Sequence, residues 1–374
     1  MKILFLTFYF EPDLCAGSFR NSSLFHKLLE QISEQDEIHV ITTQPNRYSS
    51  YHVKASDEEV GNRYRINRLH IPKHKGGMKD QINSFSSYFF QTIKLVKNTK
   101  YDLVYASSSR LFTAVLGSYV ARKNKCPLYL DIRDIFTDSI RDLVKSWSIF
   151  KHVPIYVFDI IERYAFKRAN HINIVSEGFK EHFKKYPKPT YSFFTNGIDD
   201  TFIEDAKLCK TTEHKAPYVI TYAGNIGMGQ SLDLIIPEAA QRLGSDYKFL
   251  VIGDGGIKHR LEEKIDLLNL DNVELMKPVS RKELLEYYKK TDFFFLHLDA
   301  SEQVALPSKL FEYGVYDKPI IAGLGGYAYR FAKENVQNCI LFQPVDVDTM
   351  VTALTSYSYQ LLKRTEFRFI RHFE

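Results

Sequence analysis

The sequence has few cysteines, a single tryptophan and no long hydrophobic run, and these absences exclude several classes of protein. Its four cysteines, among 374 residues, are far apart and form neither a Cys-x-x-Cys pair nor a metal-ligand spacing. A disulfide framework and a cysteine-based zinc site are therefore not predicted. A reduced, cytoplasmic protein is expected instead.

No stretch of about eighteen uncharged apolar residues occurs, so no transmembrane helix is predicted. The N-terminal stretch MKILFLTFYFEPD is short, lacks a small-residue cleavage site and contains Glu11 and Asp13. It predicts a buried first strand rather than a signal peptide. The net charge of +5 is too small to indicate nucleic-acid binding by itself. It suits an anionic small molecule or an anionic membrane surface.

Short apolar runs alternate with helical patterns along the chain, which is typical of parallel sheets covered on both faces. In the first half the predicted strands are Ile3–Phe8, Ile38–Thr42, Tyr64–Leu69, Leu103–Ala106, Leu128–Ile132 and His171–Val175. The predicted helices between them are Phe19–Gln31, Ser84–Lys97, Leu111–Lys123 and Ile155–Ala169. In the second half the predicted strands are Tyr218–Tyr222, Phe249–Ile252, Val273–Leu275, Phe293–Leu296, Ile320–Ala322 and Ile340–Phe342.

The polar stretch Asp199–Pro217 separates the two halves and predicts a linker. We therefore expect an α/β protein with two doubly wound, Rossmann-like domains facing across a cleft. Residues 1–200 form the first domain and residues 201–374 the second, whose last helix could pack back on the first. Ligands of such sheets bind at the carboxyl ends of the strands, so the loops there are the candidate sites.

Glycine-rich loops follow the first two predicted strands of the second half. One reads YAGNIGMGQS, with glycines at 224, 227 and 229, and the other reads VIGDGG. Glycine lets backbone N–H groups approach a phosphate, although an ordinary tight turn has the same composition. Neither loop is a Gly-x-Gly-x-x-Gly dinucleotide fingerprint, and the first strand of the chain leads into EPDLCAGSF. A dinucleotide-dependent dehydrogenase is therefore the least favoured function.

The stretch ALPSKLFEYGVYDKPI predicts a short helix with Lys309 in its first turn. The positive end of the helix dipole disfavours a lysine there unless an anion lies in front of it. Glu312 lies three residues on, on the same side of the helix. These residues predict a phosphate site, and a solvent-facing lysine is the alternative.

Together these motifs resemble the retaining glycosyltransferases of the GT-B fold, in the family-4 group that builds bacterial surface polysaccharides. The resemblance covers nearly the whole chain, including LYLDIRDIF and FFTNGIDDTF in the first half. It looks closest to transferases of N-acetylated amino sugars, such as N-acetylfucosamine, in O-antigen or capsule assembly. It implies that Lys309 holds the donor diphosphate, that Glu312 binds the ribose hydroxyls and that the glycine loop donates N–H groups. The donor-binding residues implied in addition are Gly224, Asn225, Gly227, Gln230, Gly253 and Asp254.

The sequence departs from the family pattern at two places. The family has a glutamate eight residues before the position of Glu312, where this chain has Val304, and Glu302 is two residues out of register. Relatives also carry an Arg and a Lys after the glycine loop, where this chain has Met228 and Gln230. The first departure favours a less hydroxylated, deoxy sugar as the donor. The second leaves fewer cations beside Lys309 to bind the diphosphate.

The acceptor side is predicted in the first domain. Gly17 and Ser18 precede a helix predicted to start near Phe19, so that Arg20 lies in its first turn and invites an anion. Asp131, Arg133 and Asp134 follow a predicted strand and are candidate catalytic residues at the cleft rim, together with Lys309 and Glu312. A structural ion pair is the alternative for these three charges.

Two metal-like signals are discounted. Asp346 and Asp348 have an Asp-x-Asp form but precede a helical pattern, which favours helix capping. His297 follows a strand and is interpreted as a hydrogen-bonded structural histidine. No cofactor and no metal are expected, and no nucleic acid is expected as a partner.

The sequence thus predicts a metal-independent, retaining glycosyltransferase of the hexosyl or N-acetylhexosaminyl type. It would use a UDP-linked donor and a lipid-linked or oligosaccharide acceptor. Two alternatives stay open. One is a UDP-sugar epimerase of the same fold, which would turn over donor without acceptor. The other is a non-catalytic nucleotide-sugar-binding subunit, which the absence of the first glutamate allows.

The predicted helix Ser84–Lys97 also suggests contact with a membrane. Phe90 lies off its apolar stripe, between Lys94 and Lys97, and a basic run at 73–75 precedes the helix. Basic residues around an exposed aromatic suit anionic headgroups, although a solvated basic face is the alternative. The hypothesis is peripheral binding at the inner face of the cytoplasmic membrane.

Overall fold

A computed structural model describes residues 1–48, 53–72, 78–108, 111–135, 152–208, 215–300 and 304–357. The chain divides into two compact units. The first contains residues 1–47 and 52–195, and the second contains residues 48–51 and 196–374. Each unit is a sheet with helices on both faces, which is the α/β class that the sequence predicts. None of the described helices is both long and apolar enough to cross a bilayer.

The first unit holds an eight-stranded sheet in the order β3-β4-β2-β1-β5-β6-β7-β8, parallel except for β3, which pairs antiparallel to β4. Its strands are β1 Lys2–Thr7, β2 Glu37–Thr43, β3 Glu58–Val60, β4 Tyr64–Leu69, β5 Leu103–Ser108, β6 Leu128–Ile132, β7 His171–Ile174 and β8 Thr190–Ser192. Its α-helices are Ala16–Gln31, Met78–Val96, Leu111–Asn124, His152–Phe166 and Lys180–Phe183. The six predicted strands are confirmed within one or two residues, whereas the short edge strands β3 and β8 were not predicted.

The second unit holds a six-stranded parallel sheet in the order β11-β10-β9-β12-β13-β14. Its strands are β9 Tyr218–Asn225, β10 Tyr247–Asp254, β11 Val273–Met276, β12 Phe293–His297, β13 Ile320–Gly323 and β14 Cys339–Phe342. Its α-helices are Asp200–Leu208, Leu232–Leu243, Lys258–Leu267, Arg281–Lys289, Ser308–Gly314, Gly326–Asn335 and Val347–Thr355. All six strands predicted for this half are present.

Side chains that alternate along the strands build a core on each face of the second sheet. Phe294 belongs to one core, and its neighbours Phe293 and Phe295 belong to the other. Because each face must be covered, the strands are apolar without interruption, and this is the pattern from which they were predicted. Burial of this apolar surface is the main stabilising term for such a unit.

The predicted helices differ from the structure at their ends, and the linker prediction was wrong in part. The first helix begins at Ala16, three residues before Phe19, so Arg20 lies beyond its first turn and Gly17 and Ser18 lie inside the helix. Part of the predicted linker is the helix Asp200–Leu208. Its apolar side chains Phe202 and Ile203 are buried in the core of the second unit. A two-turn helix with so few apolar positions gives only a weak periodic signal in the sequence.

Candidate active site

The strand order of the second sheet reverses at β9, because β10 and β11 lie on one side of it and β12 to β14 on the other. β12 pairs with β9 only at Phe293 and Phe294, so the carboxyl halves of these two strands separate. The hydroxyl of Tyr313 accepts a hydrogen bond of 3.1 Å from the Ala223 N–H, which β12 leaves unpaired. The carboxyl end of a sheet at such a reversal is where α/β proteins bind ligands.

The loop that follows β9 is held closed by Gln230. Its Oε1 accepts hydrogen bonds from Asn225 Nδ2, at 2.9 Å, and from the Gly227 N–H, at 3.2 Å. The Ile226 N–H donates to the Asp254 carbonyl at 2.9 Å, which joins this loop to the end of β10. Asn225 and Gln230 therefore shape the loop, and the N–H group predicted at Gly227 for a phosphate is directed to Gln230.

The ends of β9 and β10 approach each other at paired glycines. Gly224 pairs in register with Gly253, and a Cβ at Gly253 would lie only 1.9 Å from the Gly224 carbonyl oxygen. Only glycine fits there. Lys258, in the first turn of the next helix, directs its Nζ to the carbonyls of Gly253, at 3.3 Å, and Met276, at 3.4 Å. A cation thus lies at the carboxyl ends of β10 and β11.

Lys309 and Glu312 face the same edge of the sheet from the helix Ser308–Gly314. The neighbouring side chains Leu310, Phe311 and Tyr313 are fully buried, so the helix presents only one polar strip. Lys309 Nζ lies 2.8 Å from Glu312 Oε1 and 3.0 Å from Oε2. The Lys309 Cε lies 3.7 Å from the position that a Cβ at Gly224 would take. The structure therefore brings this pair together with the glycine loop.

Tyr288 supports Glu312 from inside the core. Its side chain is fully buried, and its hydroxyl donates a hydrogen bond to Glu312 Oε1. Lys309 Nζ lies 3.5 Å from the same hydroxyl. Burial, followed by the nearby charge of Glu312, raises the pKa of Tyr288 well above its ordinary value. The phenol therefore stays protonated and acts as a fixed donor to the carboxylate.

The residues discounted as metal ligands have structural partners. His297 Nδ1 donates to the Gln230 carbonyl at 2.7 Å, and its Nε2 accepts from the Val345 N–H at 3.0 Å. Asp346 caps the last described helix through the Thr349 N–H at 3.0 Å, and Asp348 pairs with Arg242. Both interpretations are confirmed. Within the described part of the chain, no group of three or more His, Cys, Asp or Glu residues could hold a metal ion.

In the first unit, the anion that faces Arg20 is the protein's own Asp131. Arg20 binds it through two contacts, Nε to Oδ2 at 3.0 Å and Nη2 to Oδ1 at 2.9 Å. Asn173 Nδ2 donates to Oδ1 at 2.8 Å, and the Ser107 hydroxyl donates to Oδ2 at 3.2 Å. Burial raises the pKa of Asp131, but the charge and hydrogen bonds of Arg20 outweigh it and hold the pKa below its ordinary value. These contacts support the structural ion-pair alternative for Asp131.

Arg133 has different surroundings at the end of the same strand. One guanidinium nitrogen, Nη1, lies 2.5 Å from the position that a Cβ at Gly17 would take, so the arginine tip lies directly against the first helix at Gly17. Arg133 Nε and Ser18 Oγ are buried and have no hydrogen-bond partner among the described residues. Asp134 is exposed. Gly17, Ser18 and Arg133 therefore form one group at the carboxyl edge of the first sheet.

Sequence reasoning missed two residues at the second-unit site. Lys258 could have been found, because a lysine in the first turn of a helix after a glycine loop is the same signal as Lys309. Tyr288 could not, because a tyrosine at an apolar helix position is indistinguishable from a core residue. Val304 is described and half-buried, whereas Glu302 lies outside the described residues.

Residues 205–366 match the protein family described as glycosyl transferases group 1. The matched segment contains β9 to β14, the glycine loops and the Lys309–Glu312 pair. This segment is thus similar to that family, and the two doubly wound sheets have the GT-B fold that the resemblance implied.

Among curated proteins, the chain is 24% identical over 333 residues to the putative colanic acid biosynthesis glycosyl transferase WcaI of Escherichia coli K12, covering 83% of this chain and 80% of WcaI. Among solved structures, it is similar to Anabaena Alr3699/HepE in complex with UDP and glucose, with a TM-score of 0.67, 14% identity and coverage of 100% and 94% of the two chains. It is also similar to WaaG, a glycosyltransferase of lipopolysaccharide biosynthesis, with a TM-score of 0.67, 11% identity and coverage of 99% and 92%. At these identities, the similar structures establish the fold alone.

Proposed function

We propose that the chain is a retaining glycosyltransferase that transfers a hexosyl or N-acetylhexosaminyl group from a UDP-sugar to a lipid-linked or oligosaccharide acceptor in surface polysaccharide assembly. The observation that carries the proposal is the Lys309–Glu312 pair beside Gly224, at the strand reversal of the matched domain. The colanic acid relative and the UDP complex of a similar structure support the substrate class.

The second-unit site supplies what a departing nucleotide diphosphate needs. Negative charge builds up on the diphosphate as the glycosidic bond breaks, and a preorganised cation stabilises that charge. Lys309 is the cation at the end of β9, and Lys258 adds a second at the ends of β10 and β11. Glu312, held by Tyr288, is a carboxylate acceptor suited to the ribose hydroxyls. Gly253 and Asp254 line the same edge.

We assign the acceptor to the first unit. Arg133, beside Gly17 and Ser18, presents a guanidinium at the carboxyl edge of that sheet, which suits an anionic acceptor such as a lipid-linked diphosphate. Arg20 and Asp131 support this edge rather than the acceptor. We place the enzyme in the cytoplasm, with peripheral contact at the inner face of the cytoplasmic membrane.

The donor site is tested by titrating UDP against Lys309→Ala and Glu312→Ala by calorimetry. Loss of the charge-assisted contact, to the phosphates for Lys309 and to the ribose hydroxyls for Glu312, is expected to weaken binding by about tenfold or more. Lys289 and Glu286 form the same i,i+3 ion pair on another helix, so Lys289→Ala and Glu286→Ala are matched controls that should bind UDP normally. Unchanged affinity in both site variants would place the donor elsewhere.

We also propose that turnover needs no metal ion. Lysines supply positive charge at the diphosphate, and Asp346 and Asp348 are occupied by capping and by Arg242. Activity with a UDP-sugar should therefore survive dialysis against EDTA. Two results together would assign these aspartates to a metal site instead. EDTA would abolish turnover and magnesium or manganese would restore it, and Asp348→Asn would prevent this restoration.

A further inference from the structure

Three helices of the first unit form one layer on one face of its sheet. Met78–Val96, Leu111–Asn124 and His152–Phe166 each connect parallel strands in the same direction along the sheet order. Because such crossovers are right-handed, all three lie on the same face. Ring contacts join them through Phe112, whose centroid lies 5.3 Å from that of Phe85 and 6.1 Å from that of Phe158. The helix Ala16–Gln31 connects strands in the opposite direction and covers the other face.

The outer surface of this layer is unusually apolar. Its exposed large apolar side chains are Ile82, Phe90, Leu95, Tyr119, Tyr156, Val157 and Ile160. Phe90 is 69% exposed and Tyr156 is 68% exposed, and Phe89 lies in ring contact with both Phe90 and Tyr119. The helix Ala16–Gln31 on the opposite face carries no exposed large apolar side chain. A concentration of exposed apolar residues on one face marks an interaction surface.

Among the side chains that the structure describes, the charges around this surface are almost all positive. The exposed cations at the carboxyl ends of the three helices are Lys94, Lys97, Arg122, Lys123, Arg163, Lys167 and Arg168. Of the acidic side chains described on these helices, Asp159 is half-buried, and Glu162 is buried against His182 and Lys185. A second copy of this face would meet the same positive charge, and an anionic bilayer would not.

We propose that this three-helix layer is a docking face for an anionic membrane surface, in which the apolar side chains enter the headgroup region and the cations contact anionic lipids. The inference extends the membrane contact of the proposed function from one helix to three. Helices of a parallel α/β layer lie flat along the sheet, so docking holds the sheet parallel to the bilayer. The carboxyl edge with Arg133 then lies one helix layer above the bilayer surface, so the head group of a lipid-linked acceptor has to extend by that thickness to reach it.

The test is co-sedimentation with phosphatidylcholine vesicles that contain or lack phosphatidylglycerol. The wild-type protein should bind only the anionic vesicles and dissociate as salt increases. The triple variant Tyr156→Ser, Val157→Ser, Ile160→Ser should bind these vesicles at least about tenfold more weakly, because each lost apolar group lowers the partitioning of the protein into the bilayer. It keeps Phe90, Lys94 and Lys97, so it separates the three-helix face from a single membrane helix. Since the three side chains are exposed, its circular dichroism and melting temperature should match the wild type.

The matched control removes apolar side chains from the second unit. Leu234 and Leu267 are 46% and 78% exposed on other helices, and the variant Leu234→Ser, Leu267→Ser should bind vesicles normally. A further readout uses tryptophan fluorescence in a Trp147→Phe background. Tyr156→Trp should be quenched by brominated lipid, whereas Val60→Trp, on the edge strand β3, should not.

Normal vesicle binding by the Tyr156 triple variant would overturn the proposal. So would equal binding to vesicles without anionic lipid. If the triple variant instead changes the oligomeric state measured by light scattering and leaves vesicle binding intact, the face is a contact between copies and not a membrane surface. Because no outcome depends on turnover, failure here leaves the glycosyltransferase assignment untouched, and failure to bind UDP leaves this proposal untouched.

Discussion

At the scale of single residues, Lys309 and Glu312 neutralise each other across one turn of a helix. In the proposed donor complex, the nucleotide diphosphate would replace Glu312 beside Lys309. The carboxylate would then be free to accept hydrogen bonds from hydroxyl groups. The ring of Tyr288 packs against Phe294 and Tyr316, which fixes the position of its hydroxyl. We therefore expect the phenol to keep the carboxylate oriented when its ionic partner changes.

Tyr288→Phe should therefore weaken UDP binding and reduce the preference for UDP over 2′,3′-dideoxy-UDP, because the carboxylate that we propose for the ribose hydroxyls loses its fixed donor. We expect a loss of about three- to tenfold, the value of one hydrogen bond to a charged group. Calorimetric titration of both nucleotides measures it. Tyr316→Phe is the matched control, since its hydroxyl is also buried in this cluster but donates to Asp205 at 3.1 Å. If the wild type and Tyr288→Phe discriminate equally between the two nucleotides, Tyr288 does not orient Glu312.

At the scale of elements, the end of β6 presents two charges with different tasks. Asp131 is buried and has four donor contacts from Arg20, Asn173 and Ser107. Arg20 also donates to the Phe194 carbonyl at 3.2 Å, so this network holds the chain close to Thr195, the last residue of the first unit. Arg133 has a buried Nε without a described partner. The strand therefore combines a structural carboxylate with the cation that we propose for the acceptor.

Asp131→Asn should lower the free energy of unfolding of the first unit by about 3–5 kcal/mol, because Arg20 would remain buried without its counter-ion. Arg133→Gln should leave the stability nearly unchanged and reduce kcat/KM for an anionic acceptor by about tenfold or more, the effect of losing one charge-assisted contact. Urea unfolding and acceptor kinetics separate the two effects. The opposite pattern, with a stable but inactive Asp131→Asn, would return Asp131 to the catalytic residues.

The elements differed in how far the sequence could predict them. Continuous apolar runs such as the one that forms β12 are set by burial on both faces, and this signal is local to the strand. The edge strand Glu58–Val60 has one half-buried residue between two exposed ones, so its pattern is that of a loop. Lys309 was predicted from the cost of a cation at a helix start, which is also a local argument. That Glu312 lies on the same side of the helix follows from the i,i+3 spacing. The support from Tyr288 depends on tertiary packing, which the sequence of one chain does not reveal.

At the scale of the whole molecule, each unit contains a buried histidine held in its neutral form. In the second unit, His297 Nε2 accepts from the Val345 N–H and Nδ1 donates to the Gln230 carbonyl, so a second ring proton would face a donor. In the first unit, His39 lies between the Tyr101 hydroxyl, at 2.6 Å, and Asn67 Oδ1, at 2.8 Å. Burial lowers the pKa of both histidines below the ordinary value of 6.5.

Because each unit contains a buried histidine with a lowered pKa, we predict that the two units lose stability over the same range of pH. A histidine whose pKa is lowered by folding takes up its proton in the unfolded chain first, so the unfolded state binds more protons as the pH falls below 6.5. The stabilising contribution is complete above pH 6.5 and is lost as the pH falls toward the lower pKa of the folded state. Urea unfolding can be measured between pH 8 and pH 5, with hydrogen exchange reporting on each unit separately. The urea concentration at the midpoint of unfolding should decrease for both units as the pH falls.

Variants assign this acid sensitivity to each unit. His297→Gln should flatten the pH dependence of the second unit alone, and His39→Gln that of the first. His259 is exposed, so His259→Gln should change neither. The second ring proton goes on Nε2, so it breaks the contact with the Val345 N–H and keeps the hydrogen bond from Nδ1 to the Gln230 carbonyl. UDP affinity should therefore change less over this pH range than the stability of the second unit does. Affinity that weakens in parallel with the stability would show that protonation of His297 also disturbs the glycine loop.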